Sequence, residues 1–93
     1  MPVTGKPSPF RIIGGRAGTI VHAAGNDVAE LAWEMLAGDI EMVIYASACR
    51  WTAPSVRPMD ADEVIALVRQ LAAALPGRIE VAFDGRAQIV YPE

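Results

Sequence analysis

The chain has 93 residues, 53% of them hydrophobic and 20% charged, which fits one folded domain with a single hydrophobic core. Its formal net charge of −3 excludes the usual nucleic-acid binder, which concentrates Lys and Arg against phosphates. A single cysteine excludes an intrachain disulfide framework and a cysteine-based structural zinc site, and it suits a reducing cytoplasm.

The first eight residues are rich in proline and lack the apolar segment of a signal peptide. We predict a flexible tail over residues 1–8 and one α+β domain over residues 9–93. No apolar run approaches the roughly 18 residues that a membrane-spanning helix needs. The sequence therefore predicts a cytoplasmic protein that does not contact a membrane.

A β-hairpin is predicted near the N-terminus. Phe10–Ile13 is a short apolar run, Gly14 to Gly18 supplies residues that tolerate positive φ, and Thr19–Val21 is largely β-branched. A phosphate-binding loop would need a helix after its glycines, whereas a strand-like run follows here. The glycines therefore predict a turn between two strands.

The stretch from 27 to 37 has two interpretations. Asp27 and Glu30 have the spacing of a helix capping box, apolar residues follow at helical spacing, and Gly38 stands where a C-terminal cap belongs. A short second helix at about 27–37 is the better local prediction. The alternative is a half-buried strand, in which Ala29, Leu31, Trp33 and Met35 alternate with more polar residues after a Gly25-Asn26-Asp27 turn.

The second half of the sequence predicts a strand, a helix and a hairpin. Met42–Ala46 is a continuous apolar run typical of a central strand, and prolines at 54 and 58 favour extended backbone after it. An amphipathic helix at about 60–75 starts with a capping box formed by Asp60 and Glu63. Asp84-Gly85 then separates two strand-like runs. We expect an α+β fold, with this helix packed on one face of a small, mostly antiparallel sheet.

Few residues have the surroundings that chemistry requires. His22 is the only histidine and has no Asp, Glu or Cys at a metal-ligand spacing, so we expect an ordinary strand residue. Cys49 has only the adjacent Arg50 to lower its pKa, which favours a small buried residue over a nucleophile. We predict no enzyme activity, no cofactor and no metal.

Two sets of residues can serve either structure or recognition. Asp60, Asp62 and Glu63 form an acidic cluster that can bind a cation or a basic partner, although helix capping accounts for all three. Tyr45 and Trp51 are large amphipathic aromatics, which are frequent in binding hot spots. For Trp51, covering the edge of a small core is the favoured role.

One run of residues resembles a known family. Met35-Leu36, Val43-Ile44-Tyr45, and Trp51 with Pro54, followed by an acid-started helix and a strand, are similar to immunity protein family 74 of bacterial polymorphic toxin systems. The likeness covers about Ile20 to Phe83, and Arg57 departs from it where acidic residues are more typical. The resemblance implies a protein that binds a cognate toxin and masks its active site or substrate path.

The contact surface expected for such a partner consists of one tyrosine, one arginine, one tryptophan and the acidic start of the helix: Tyr45, Arg50, Trp51, Asp60, Asp62 and Glu63. An acidic protein can steer towards a basic toxin. Two alternatives stay open: a generic protein-interaction module that is a monomer or a weak homodimer through a sheet edge, and a non-catalytic domain that binds a small ligand between sheet and helix.

Overall fold

The computed structural model describes residues 9–36, 40–75 and 78–92, so the tail predicted at 1–8 lies outside the described residues. The elements are β1 (Phe10–Gly14), β2 (Ala17–Ala24), β3 (Asp27–Met35), β4 (Ile40–Ala53), β5 (Arg57–Pro58), α1 (Ala61–Ala74), β6 (Arg78–Phe83) and β7 (Arg86–Val90). Within these ranges the strands form one sheet in the order β1-β2-β3-β4-β6-β7, and β5 pairs with the second half of β4. Every pair is antiparallel except β4 with β6, which α1 connects. The predicted α+β class with a mostly antiparallel sheet is confirmed.

The helix predicted at 27–37 is wrong, because Asp27–Met35 is strand β3. Its backbone pairs with β2 on one side and with β4 on the other. Ala29, Leu31 and Trp33 are buried on one face, as the strand alternative required, whereas Met35 at the end of the strand is 50% exposed. Pairing along both edges together with burial of one face outweighs the local helical spacing.

The residues that suggested a helix in this segment have other roles in the strand. The Gly25-Asn26 turn connects β2 to β3, with Gly25 at a φ of 62°. The Glu30 carboxylate, which was expected to cap a helix, accepts a hydrogen bond from Arg50 on β4. The proposed C-terminal cap at Gly38 lies outside the described residues.

Helix α1 is confirmed within a residue at each end. Asp60 is the N-cap, and its carboxylate accepts a hydrogen bond from the Glu63 N–H at 2.8 Å while the Glu63 carboxylate accepts one from the Asp60 N–H. This reciprocal pair is the predicted capping box. The helix contacts β4, β6 and β7. Its buried side chains are Val64, Leu67, Val68, Leu71 and Ala72. Pro76 and Gly77, expected to end the helix, lie outside the described residues.

The hydrophobic core lies between α1 and one side of the sheet, which we call the helix face. The sheet contributes mainly aliphatic side chains to it: Ile20, Ala29, Leu31, Trp33, Met42, Ile44, Ile79, Val81 and Val90. Because strand side chains alternate, the residues between these point to the other side of the sheet. That opposite side, which we call the open face, is where the candidate site lies.

Trp33 lies at one end of the helix face, beside two glycines of the neighbouring strands. In the sheet register Trp33 lies beside Gly18, which in turn lies beside Gly14. The Trp33 Nε1–H donates a hydrogen bond to the Ile13 carbonyl at 3.1 Å, two strands away. A Cβ on Gly18 would lie 2.1 Å from that same carbonyl oxygen, so this close approach requires glycine.

Candidate functional site

A row of small and apolar side chains crosses the middle of the open face. The register places one residue of each of six strands side by side: Ile13, Thr19, Ala32, Tyr45, Ala82 and Ala87. We call these residues the middle row. At about 4.8 Å per strand the row spans about 24 Å. Among the described elements, no helix or second sheet packs over it.

Charged residues lie on both sides of the middle row. One flanking row contains Glu34, Val43, Glu80 and Ile89, and the other contains Arg11, Val21, Glu30 and Arg50. The solvent-facing side of an antiparallel sheet normally carries polar residues at alternate positions. An apolar centre with charges at its borders is instead typical of a surface that binds another protein, with an apolar core and a polar rim.

Tyr45 is the largest side chain of the middle row and is 38% exposed. Its hydroxyl donates a hydrogen bond to the Glu34 carboxylate, which lies on the neighbouring strand. This hydrogen bond is the main reason that the pKa of Tyr45 is raised, and the charge of Glu80 contributes further. The ring is thus held in place on the open face and is partly exposed, the arrangement of an aromatic anchor at an interface.

Strand β4 contains a large bulge of four residues next to the middle row. Tyr45 pairs with Ala32 and Arg50 pairs with Glu30, so the four residues 46–49 of β4 lie opposite a single residue of β3, Leu31. Such bulges bend a strand and redirect its side chains, and they are frequent near functional sites.

The bulge is fixed by two contacts of Cys49. Its thiol donates a hydrogen bond to the Tyr45 carbonyl at 3.3 Å, and its carbonyl accepts one from the Met59 N–H at 3.2 Å. Burial raises the pKa of the Cys49 thiol, which is only 2% exposed. The thiol is therefore protonated at neutral pH, and the expected packing role fits better than that of a nucleophile.

A groove of about 600 Å³ opens at this bulge on the open face, and we call it the bulge groove. Its lining is Thr19, Glu30, Leu31, Ala32, Ser47, Ala48, Cys49, Arg50, Val56, Arg57 and Pro58. Thr19 and Ala32 belong to both the groove and the middle row. The apolar row and the polar groove therefore form one continuous surface.

The remaining predicted residues gather at the start of α1. Glu63 accepts hydrogen bonds from Trp51 Nε1 at 3.1 Å and from both terminal nitrogens of Arg57 at 3.2 and 3.0 Å. The Arg57 guanidinium also lies 5.3 Å from the centre of the Trp51 ring. We call Trp51, Arg57, Asp60 and Glu63 the helix-start cluster. A smaller groove of about 330 Å³ borders it.

Within the helix-start cluster, the charges of Arg57 and Glu63 balance each other. The hydrogen bonds from Arg57 and from the Asp60 backbone lower the pKa of Glu63 to about 2, and the Trp51 indole contributes to the same shift. Glu63 in turn raises the pKa of Arg57. Donors on β4 and β5 thus meet one carboxylate of α1, so the cluster fastens the helix to the second half of β4. Asp62 is exposed in the first turn of the helix.

The predicted contact residues do not form one surface. Tyr45 and Arg50 lie on the open face, whereas Trp51 is next to Arg50 in sequence but points to the helix side, where Asp60 and Glu63 lie. Period-two alternation in β4 separates them. Sequence reasoning also missed Ala32, Ala82 and the bulge. For Ala32 the signal was available in the alternating polarity of β3, but the helical interpretation concealed it. No local signal indicated Ala82 or the bulge.

His22 takes no part in either site. It is 7% exposed on the helix face, and its ring lies 4.6 Å from that of Phe10. Burial lowers the pKa of His22, and its Nδ1 has no hydrogen-bond partner among the described residues. The part of the protein that the structure describes contains no group of three His, Cys, Asp or Glu that could hold a metal ion.

Comparison with known protein families, with curated proteins and with solved structures found no match. Within the described ranges, no helix is long and apolar enough to cross a membrane.

Proposed function

We propose that this protein is a non-catalytic protein-binding module whose open face binds its partner. The observation that carries the proposal is the middle row, in which small residues such as Ala32 and Ala82 surround the fixed ring of Tyr45. Flat apolar centres with aromatic anchors and charged borders are the usual composition of binding surfaces. The bulge groove beside the row adds a recess for a side chain of the partner.

The partner proposed from the family resemblance is a bacterial toxin that this protein neutralises by covering its active site or substrate path. Tyr45 belongs both to the resemblance and to the middle row. Arg50 borders the same surface, whereas Asp60 and Glu63 are engaged in capping and Glu63 also binds Arg57. Asp62 is exposed at the start of α1, away from the open face. The proposed toxin-binding surface is therefore narrower than the six residues expected from the sequence.

The test is co-expression with the product of the neighbouring gene, followed by purification of the complex and a growth assay. The wild-type protein should co-purify with that product and restore growth. Ala32→Arg places a long charged side chain in the middle row and should abolish both effects. Ala66→Arg is the matched control on the exposed side of α1 and should leave both unchanged. Absence of a complex with the wild-type protein, or equal binding by both variants, would contradict the proposal.

A second candidate function is binding of a small ligand in the bulge groove. Its volume of about 600 Å³ lies in the range of ligand sites, and the polar groups of Glu30, Ser47 and Arg50 converge on it. A thermal-shift screen of small molecules tests this function. Hits whose binding is lost in Ala48→Phe and retained in Ala66→Phe would support this function. Hits that bind Ala48→Phe as well as the wild-type protein would contradict it.

A further inference from the structure

The bulge groove is rich in hydrogen-bond donors. Arg50 and Arg57 line it together with the hydroxyls of Thr19 and Ser47, and Glu30 is the carboxylate in its described lining. Its apolar lining includes Ala32, Ala48 and Val56. Apolar walls beside charged donors suit a group with an apolar stem and a negatively charged end.

The Arg50 guanidinium has unused hydrogen-bond donors within the described residues. Among the described residues its guanidinium is hydrogen-bonded through Nη2 alone, to Glu30 at 3.2 Å. A guanidinium has five N–H groups in a planar fork, so four remain available to another acceptor. The Arg50 side chain is 57% exposed and that of Glu30 is 34% exposed. An ion pair this exposed contributes little, so a second carboxylate can share or replace it.

Arg57 is held differently from Arg50. Both of its terminal nitrogens are bonded to Glu63, and its guanidinium lies over the Trp51 ring. Its charge is therefore balanced by Glu63, and its position is fixed by the helix-start cluster. Arg50 is the arginine that can turn towards a bound group.

We propose that the bulge groove binds a carboxylate of the protein partner, with Arg50 as the residue that donates to it. The carboxylate belongs to an Asp or Glu residue or to the partner's C-terminus. This inference rests on the proposed function, because it assigns an anchor residue to the same surface. Glu30 competes with the partner for Arg50, so it limits the affinity and favours partners that offer a well-placed carboxylate.

The experiment is an NMR titration of ¹⁵N-labelled protein with three probes at matched ionic strength. N-acetyl-glutamic acid amide carries its carboxylate on the side chain, N-acetyl-alanine carries a terminal carboxylate, and N-acetyl-glutamine amide carries neither. We expect one or both acids to shift the signals of Ser47, Ala48 and Arg50, and the glutamine probe to shift none. Which acid is bound more tightly distinguishes the two sources.

Two substitutions at one ion pair give opposite expected effects. Arg50→Gln should weaken acid binding about tenfold, as expected for loss of a charge-assisted hydrogen bond. Glu30→Gln should tighten binding about threefold by removing the competing carboxylate. Damage to the fold would weaken binding in both variants. Arg69→Gln, on the exposed side of α1 and outside the groove lining, should have no effect.

The outcomes separate this inference from the proposed function. Equal shifts with the glutamine probe, shifts with sodium chloride alone, or weaker binding by Glu30→Gln would overturn the carboxylate site. If the acids shift nothing while Ala32→Arg still abolishes the complex with the partner, the carboxylate site is refuted and the open face remains the binding surface. If the acids bind as expected but no partner complex forms, the proposed function fails and the groove remains an anion site.

Discussion

Gly18→Ala should be far more destabilising than its size suggests. A Cβ at this position would lie 2.1 Å from the Ile13 carbonyl oxygen and 3.0 Å from the carbonyl carbon, and both are backbone atoms of the neighbouring strand. Strand β1 must therefore move by about 1 Å to restore ordinary contact, which costs about 1–3 kcal/mol in overpacking. The same movement breaks the hydrogen bond from Trp33 to Ile13, worth about 1 kcal/mol. We expect a total loss of about 2–4 kcal/mol in the free energy of unfolding.

Urea denaturation and the indole N–H signal of Trp33 measure the two consequences separately. The loss of stability corresponds to a fall in Tm of roughly 10–25 °C for a domain of this size. The Trp33 indole proton should also exchange faster with solvent. Gly15→Ala is the matched control, because a Cβ at Gly15 has nothing within 4 Å. It should change stability by less than about 1 kcal/mol. Equal stability of the two variants would refute the close packing of β1 on Gly18.

Three further predictions concern charge and packing. Burial lowers the pKa of His22 below its ordinary 6.5, so as the pH falls the imidazole is protonated first in the unfolded protein. The free energy of unfolding should therefore fall as the pH drops below 6.5, and His22→Phe should flatten that dependence in urea titrations. Since the pKa of Glu63 is lowered from 4.5 to about 2, its stabilising contribution should be present above pH 4.5 and lost between 4.5 and 2, and Glu63→Gln should remove this acid-dependent step while lowering stability at neutral pH. Leu71→Ala, in the buried face of α1, should lose about 2–5 kcal/mol by urea denaturation, whereas Gln70→Ala on the exposed side should lose less than about 0.5 kcal/mol.

The parts of the fold specified by local chemistry were predictable from the sequence. Asp60 and Glu63 are three residues apart and cap each other, so the start of α1 followed directly from their spacing. The closing hairpin followed from Asp84-Gly85, and Gly85 has the positive φ of 81° that such a turn requires. In both cases the signal and the structure lie within a few residues of one another.

Features that depend on distant pairing were not predictable in the same way. Strand β3 has a helical pattern of apolar residues, and only its pairing with β2 and β4 makes it a strand. The bulge of β4 exists because Arg50 pairs with Glu30 while Tyr45 pairs with Ala32, a register that no local motif encodes. The middle row likewise joins six strands that are far apart in sequence. Aromatic and charged residues can be recognised in a sequence as binding candidates, whereas the alanines that define this surface carry no such signal.

The most direct measurement of partner binding uses protein labelled with ¹³C at its alanine methyl groups. On addition of the neighbouring gene product, the methyl signals of Ala32, Ala82 and Ala87 should shift or broaden, while those of Ala66 and Ala73 on the exposed side of α1 stay unchanged. Perturbation confined to the helix alanines would place the contact on the opposite side of the molecule and contradict binding through the open face.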